Sequence, residues 1–368
     1  MSMEIVVHLI VAARPNFMKV APLYHELAAT DWCKPFLVHT GQHYDPNMSD
    51  TFFDDLRMPK PDYHLGVGIG SHAEQTAGVM VAYEKILLES PPDWVVVVGD
   101  VNSTVACSLA AKKLCLRVAH LEAGLRSGDR TMPEEINRLV TDSISDVLWT
   151  PSPDGTENLT QEGVAAERIS FVGNIMIDSY ELMRDQIEKA NTSGELGLTP
   201  KGYAVVTLHR PSNVDHPETL AQLVETLVTV AEDMPLAFAM HPRTRKNLGG
   251  FGLLNQLKSA ERIHVTEPMG YIRFMSLVRE AKLVITDSGG IQEEATYLGI
   301  PCLTLRDTTE RPITVRQGSN KLVKPEELGG MIAGVMDGSW STGCKPDLWD
   351  GHTAGRIASD IQRRSKGK

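Results

Sequence analysis

The chain has 368 residues, 42% hydrophobic and 23% charged, with 36 Lys and Arg against 47 Asp and Glu and a net charge of −11. That length suits two domains with sizeable cores. The acidic balance argues against a general nucleic-acid binder, so any phosphate must be held by local positive charge. The five cysteines (Cys33, Cys107, Cys115, Cys302, Cys344) are scattered, with no Cys-x-x-Cys pair. They read as buried reduced thiols of a cytoplasmic protein, not as zinc or redox groups. The N-terminus runs into a strand without a signal-peptide pattern, and no apolar run approaches membrane-spanning length.

In chain order, Glu4 to Val11 reads as a strand, and Pro15 opens a helix after it. Arg14 sits at that strand's C-terminal end, with Lys19 about one helical turn on. In an open α/β sheet this is the ligand edge. Phe36 to His39 is a second strand. Gly66 to Ser71 superficially resembles a dinucleotide fingerprint, but Ser71 stands where the third glycine belongs. The stretch is read as a flexible loop before a helix at about 72–88. Trp94 to Val98 is a strongly apolar strand ending in Gly99-Asp100. Arg117 to Leu121 is the next, ending at Glu122. A Gly/polar loop leads to a helix opened by Pro133 that carries Glu134, Glu135 and Arg138. Asp100, Glu122 and Glu134 thus converge on one edge, as acid/base groups would. His120-Leu121-Glu122 is half of a zinc-deaminase signature without its Pro-Cys-x-x-Cys partner, so no metal is expected there.

Leu148 to Thr150 reads as the last strand of this half, and 185–201 as a polar surface excursion. The βα rhythm then resumes. Tyr203 to Leu208 ends in His209-Arg210, and Leu236 to Met240 ends in His241. Leu283 to Thr286 is a buried strand followed by Asp287-Ser288-Gly289-Gly290 and a helix through Gln292, Glu293 and Glu294. Glycines let a ligand approach the backbone, and the free N–H groups of the helix start favour a phosphate or diphosphate. Glu294, one turn inward, is placed to take hydroxyls such as those of a ribose. Cys302 to Leu305 is a further strand, and Ala354 to Arg364 a terminal helix. Two α/β halves of this kind imply a ligand cleft between domains.

Several blocks occur together: Ala13-Arg14-Pro15 with Lys19, Thr40-Gly41-Gln42-His43, Gly99-Asp100, His120 to Asp129 with its Glu-Ala-Gly-Leu-Arg, Pro133 to Arg138, Gly173-Asn174, Thr207 to Arg210, Asp287 to Ala295 and Arg306 to Pro312. On these blocks the chain resembles the non-hydrolysing UDP-N-acetylglucosamine 2-epimerase family over nearly its whole length. The resemblance implies an α/β protein of two Rossmann-like domains in a GT-B-like arrangement, with the active site in the interdomain cleft. It places an N-terminal domain at 1–172, joined by a C-terminal helix at about 353–368, and a UDP-binding domain at 173–352. It implies interconversion of UDP-GlcNAc and UDP-ManNAc at C2 without metal or nicotinamide cofactor, and a homodimer. Contacts to UDP fall on Arg14, Ser288, Gly289 and the ribose-binding Glu294, with Gly290 beside them and Lys19 in its usual place relative to Arg14. The catalytic acidic trio falls on Asp100, Glu122 and Glu134, and His209 and Arg311 match further active-site positions.

The chain departs from the pattern at three places. Tyr44-Asp45-Pro46 follows Gln42-His43, where members with a regulatory second substrate site carry Arg and further polar residues. Thr207 to Pro211 lacks the second arginine often found after His-Arg. The loop Ser127 to Met132 is shorter than the Trp-containing version. These changes leave room for a modified sugar, such as a UDP-2,3-diacetamido sugar acid. The alternatives are a hydrolysing epimerase that releases free ManNAc and UDP, a GT-B glycosyltransferase, and a UDP-sugar-binding regulator without turnover. Binding alone would not call for the carboxylate trio.

Overall fold

The computed structural model describes residues 4–41, 56–341 and 343–366. The readings that rest on Gln42 to Pro46 lie outside these residues, as does the side chain of Arg14. The chain forms two compact units, Met1–Leu182 with Asp347–Lys368, and Met183–Pro346. The sequence put the change at 172/173. The division observed falls inside the helix Ile175–Lys189.

The first unit is built on a seven-stranded sheet of order β3-β2-β1-β4-β5-β6-β7. Its strands are β1 (Ile5–Val11), β2 (Cys33–His39), β3 (Tyr63–His64), β4 (Trp94–Val98), β5 (Val118–Leu121), β6 (Val147–Thr150) and β7 (Ile169–Phe171). All pairings are parallel. The central strands are continuous apolar runs because helices cover both faces, as a parallel sheet requires. Ser71, the residue that spoils the dinucleotide fingerprint, caps the helix His72–Glu89: its hydroxyl accepts from the Glu74 N–H while Glu74 accepts from the Ser71 N–H. The C-terminal helix Thr353–Ser365 packs against the first helix, Arg14–Ala28. It is pinned by buried bonds. Trp149 Nε1 donates to Asp360 at 2.9 Å, and the Ala354 N–H donates to Asp178 at 2.8 Å.

The second unit carries a six-stranded sheet of order β10-β9-β8-β11-β12-β13. Its strands are β8 (Ala204–Thr207), β9 (Leu236–Ala239), β10 (Ile263–Thr266), β11 (Leu283–Thr286), β12 (Cys302–Thr304) and β13 (Asn320–Leu322), again all parallel. The helix Pro217–Asp233 buries Leu220, Leu223, Val224 and Leu227, the i, i+3, i+4, i+7 face of an amphipathic helix, against this sheet. Both sheets reverse their winding direction once, between β1 and β4 and between β8 and β11. The crevice beyond strand C-termini at such a switch point is where doubly wound sheets bind ligands.

Some expectations need correction. Leu148 to Thr150 is not the last strand of its half, because β7 follows it at the sheet edge after the helix Pro153–Gln161. β7 is short and half-buried, so it lacks the apolar run that marks a central strand. The stretch 185–201 is not all surface excursion. The helix Ile175–Lys189 continues into it, and Thr192 and Ser193 of the short helix after it are buried. Ser193 is satisfied there by Glu280. The cysteines are all free, but Cys115 and Cys344 are exposed. Among the described residues no helix is long and apolar enough to cross a membrane.

Gly173 has φ +94°, and a Cβ there would lie 2.2 Å from the Leu348 carbonyl oxygen. Gly173→Ala must therefore push the chain before Asp360 off its seat. We expect a loss of about 3 kcal/mol in urea unfolding. An unchanged midpoint would show that the segment around Leu348 yields freely.

Candidate active site

In the first unit, β4 and β5 pair with Val97 opposite His120 and Val98 opposite Leu121. The residues that follow, Gly99-Asp100 and Glu122, therefore leave the sheet side by side. Glu122 has φ +70°. That left-handed conformation is costly for a side chain with a Cβ, and strain of this kind collects at functional sites. Its side chain is buried and ion-paired with Lys19 from the helix Arg14–Ala28. A Cβ on Gly99 would sit 3.5 Å from both Glu122 Oε2 and Lys19 Nζ. Gly99 thus leaves the space in which that pair forms. Asn16, one turn before Lys19, donates to the Val98 carbonyl at 2.9 Å and fixes the helix against the strand end.

Asp100 is partly exposed and pairs with the buried Arg138, while Asn137 donates to its carbonyl at 2.8 Å. Arg138 also binds Glu135 at 2.6 Å. Glu135 in turn accepts the N–H groups of Ser127 and Gly128, each at 3.0 Å. Burial alone would raise the Glu135 carboxyl, but these N–H donors and Arg138 outweigh it and hold the group below the usual range. Glu134 lies in the first turn of the helix Pro133–Ile144 and is exposed. Among the described residues it makes no ion pair, so the trio is not one bonded cluster. Asp100 and Glu122 emerge together, each held by a cation, and Glu134 stands apart from those pairs.

Sequence reasoning missed what lies behind them. The sequence marks His120 as half of an incomplete zinc motif and as part of the block His120 to Asp129, and does not mark Asp142 at all. Asp142 is buried, 2.6 Å from His120 Nδ1 and 2.7 Å from Arg126. It also accepts the Gly124 N–H at 3.0 Å. Burial would raise its carboxyl; His120 and Arg126 outweigh that and keep it below the ordinary value. Asp142 lies 22 residues from His120 in the sequence, and nothing local marks the pair.

In the second unit, β8 and β11 pair with Thr207 opposite Thr286. Asp287, just past β11, has 0% exposure. It accepts N–H bonds from His209 and Arg210 at 2.9 Å and from the Asn213 amide at 3.1 Å. His209 Nδ1 lies 2.8 Å from its Oδ1. Burial would raise Asp287, but these donors, led by His209, lower it. An ionised Asp287 fixes the His209 proton on Nδ1 and leaves Nε2 for a ligand. The ring of His241 is 5.6 Å from that of His209.

Ser288 is the N-cap residue of the helix Gly289–Leu298. A Cβ on Gly289 would meet Glu310 Oε1 at 3.0 Å and Arg311 Nη1 at 3.1 Å, whereas Gly290 has nothing within 4 Å. Gly289 therefore makes room for protein side chains, and Gly290 borders open space. Arg311 bonds Glu310 at 2.6 Å and Glu293 at 2.8 Å, so it is held at the helix start by two carboxylates. Glu310 also binds Arg306 at 2.8 Å. Burial opposes its ionisation, but Arg311 and Arg306 hold the Glu310 carboxyl well below the usual range. Glu294 is the reverse case. It is buried, accepts from the Tyr271 hydroxyl at 2.7 Å, and is pushed up to about 7, mainly by burial and further by Glu293.

A family model described as UDP-N-acetylglucosamine 2-epimerase matches residues 25–362. The chain is 44% identical, over 86% of its length and 87% of the relative's, to the UDP-N-acetylglucosamine 2-epimerase of Methanocaldococcus jannaschii. It is 40% identical, over 85% and 87%, to the UDP-2,3-diacetamido-2,3-dideoxy-D-glucuronate 2-epimerase of Pseudomonas aeruginosa. Among solved structures it resembles the Methanocaldococcus jannaschii UDP-GlcNAc 2-epimerase in complex with UDP-GlcNAc and UDP, with a TM-score of 0.87 at 40% identity, covering 98% of this chain and 100% of that one.

Glu294 gives a pH signature. Its folded value of about 7 lies above the ordinary 4.5, so ionising it costs folded stability. The penalty is absent below pH 4.5, grows as pH rises and is complete above about 7. Glu294→Gln should be more stable than the parent by about 2–3 kcal/mol at pH 8, with the gap closing at pH 4. Equal stabilities at pH 8 would show that the carboxylate is satisfied where it lies.

Proposed function

The chain belongs to the UDP-N-acetylglucosamine 2-epimerase family, and on that premise we propose that it interconverts UDP-GlcNAc and UDP-ManNAc by inverting C2, supplying precursors of cell-surface polysaccharide. A carboxylate takes the C2 proton. The C–H electrons become the C1=C2 double bond of a 2-acetamidoglucal, and the C1–O bond breaks with its electron pair leaving on UDP. In the return, a proton reaches the opposite face of C2 and a diphosphate oxygen re-forms the bond to C1. Atoms and charge balance without an external oxidant, reductant or metal.

Arg14, Ser288, Gly289 and Gly290 take the diphosphate in this reading, and Glu294 the ribose. His209 and Arg311 stabilise the charge that grows on the departing UDP. Asp100, Glu122 and Glu134 handle the proton, with Lys19 paired to Glu122. The observation that carries the reading is Glu122 in a left-handed conformation, buried against Lys19 beside the turn that carries Asp100. Two carboxylates at adjacent strand ends, each fixed by a cation, suit a reaction that removes and returns one proton. The likeness to a relative acting on a diacetamido glucuronate supports a second reading, in which the sugar carries a 3-acetamido group and a C6 carboxylate. The family resemblance further implies a homodimer, which sedimentation tests by a mass twice that of the chain.

The decisive assay follows UDP-GlcNAc in D2O by NMR. UDP-ManNAc deuterated at C2 is the expected product, with EDTA present and no nicotinamide added. Free ManNAc with UDP would instead mark a hydrolysing enzyme. Turnover of the UDP-diacetamido glucuronate alone would select the second reading, and UDP binding without turnover of either sugar would contradict the proposal. Asp100→Asn and Glu122→Gln should each slow exchange at C2 by about 10³-fold, the scale of lost acid–base catalysis, with UDP affinity little changed. Wild-type exchange in either variant would remove that residue from the mechanism.

A further inference from the structure

The His120 side chain is completely buried, and both of its ring nitrogens face oxygen. Nε2 lies 2.8 Å from the Gly99 carbonyl, and Nδ1 lies 2.6 Å from Asp142 Oδ1. A carbonyl oxygen can only accept, so Nε2 carries a proton. Asp142 takes the Gly124 N–H and Arg126 on its other oxygen. Its Oδ1 faces His120 Nδ1, so the ring spans from the Asp142 carboxyl to the Gly99 carbonyl. Flipping the ring would put carbon at both contacts. The charged groups around the ring are Asp142 from the helix Pro133–Ile144, Arg126 from the loop behind it, and the Lys19–Glu122 pair beyond Gly99.

The place of the ring gives it a task. Gly99 and Glu122 have φ +67° and +70°. Their turns leave the regular ladder at the Gly99 N–H to Leu121 carbonyl bond of 3.1 Å. Beyond that bond, His120 ties the end of β5 to the peptide that leads into Asp100. We propose that His120 is a positioning residue, a buried ring that bridges Asp142 and the Gly99 carbonyl and so fixes the separation of Asp100 and Glu122. The proposal rests on the reading of those two carboxylates as the groups that act on the sugar.

The test is made on the full chain. His120→Gln and Asp142→Asn are assayed for C2 exchange with UDP-GlcNAc, with rates divided by the fraction of sites that bind UDP. A kcat lower by about 100-fold at unchanged KM is expected from misplaced carboxylates. A normalised rate equal to wild type in both variants shows a merely structural ring and overturns the role. Asp100→Asn and Glu122→Gln serve as controls. If they exchange normally, the carboxylate reading itself fails and leaves His120 nothing to position. If they are inactive while the His120 and Asp142 variants are not, only the positioning role fails.

Discussion

Asp142 and Asp287 are both buried, and each is bound to a histidine and to backbone N–H groups near the ends of the parallel strands. The strand-end chemistry of both units depends on these two ions. A parallel sheet places its ligand edge where the chain leaves regular hydrogen bonding, so the backbone there needs other partners. A carboxylate can accept several N–H groups at once and draws them together. The ionised state is costly in a dry interior and is kept only because every oxygen is used. In the second unit the result is a histidine with one nitrogen fixed and the other available. In the first it is a clamp behind Asp100 and Glu122.

The same rule bears on how an acidic chain would hold a diphosphate under the proposed function. Among the described residues, three cations near the strand ends are matched by carboxylates: Lys19 by Glu122, Arg138 by Asp100 and Glu135, Arg311 by Glu293 and Glu310. None brings a large uncompensated charge, which would be unstable without ligand. In the proposed function the attraction for phosphate would come from fixed dipoles, the N–H groups at the start of the helix Gly289–Leu298, with Arg311 held close to them. Glu294 is the exception, a buried carboxylate beside Glu293 that accepts from the Tyr271 hydroxyl. Its unfavourable ionisation is a cost that hydroxyl donors on a ribose would relieve.

Much of this was legible in the sequence, for a physical reason. Trp94–Val98 and Leu283–Thr286 have the bounds expected of them because strands covered on both faces are written as unbroken apolar runs. Once those strands are placed, the residues after them fall at the ligand edge, and Asp100, Glu122, His209 and Ser288 follow. The edge strands β3, β7 and β13 were invisible, since short half-buried segments have no such signature. The partners of the site were invisible for another reason. Asp142 reaches His120, and Arg138 reaches Asp100, only through the fold, and single positions on a helix do not announce a contact with another strand. Nor does the sequence distinguish Gly289, which yields space to Arg311, from Gly290, which is open.

The central claim is that the C1–O bond to UDP breaks and re-forms while strand-end carboxylates move the C2 proton. Positional isotope exchange tests it most directly. UDP-GlcNAc carrying ¹⁸O in the bridge between C1 and the β-phosphorus is incubated with the enzyme, and the recovered UDP-sugar is read by ³¹P NMR. The account predicts that the label spreads from the bridge to the non-bridging β-phosphate oxygens, and that Glu122→Gln stops the spread. Inversion at C2 with all of the ¹⁸O still in the bridge would contradict it.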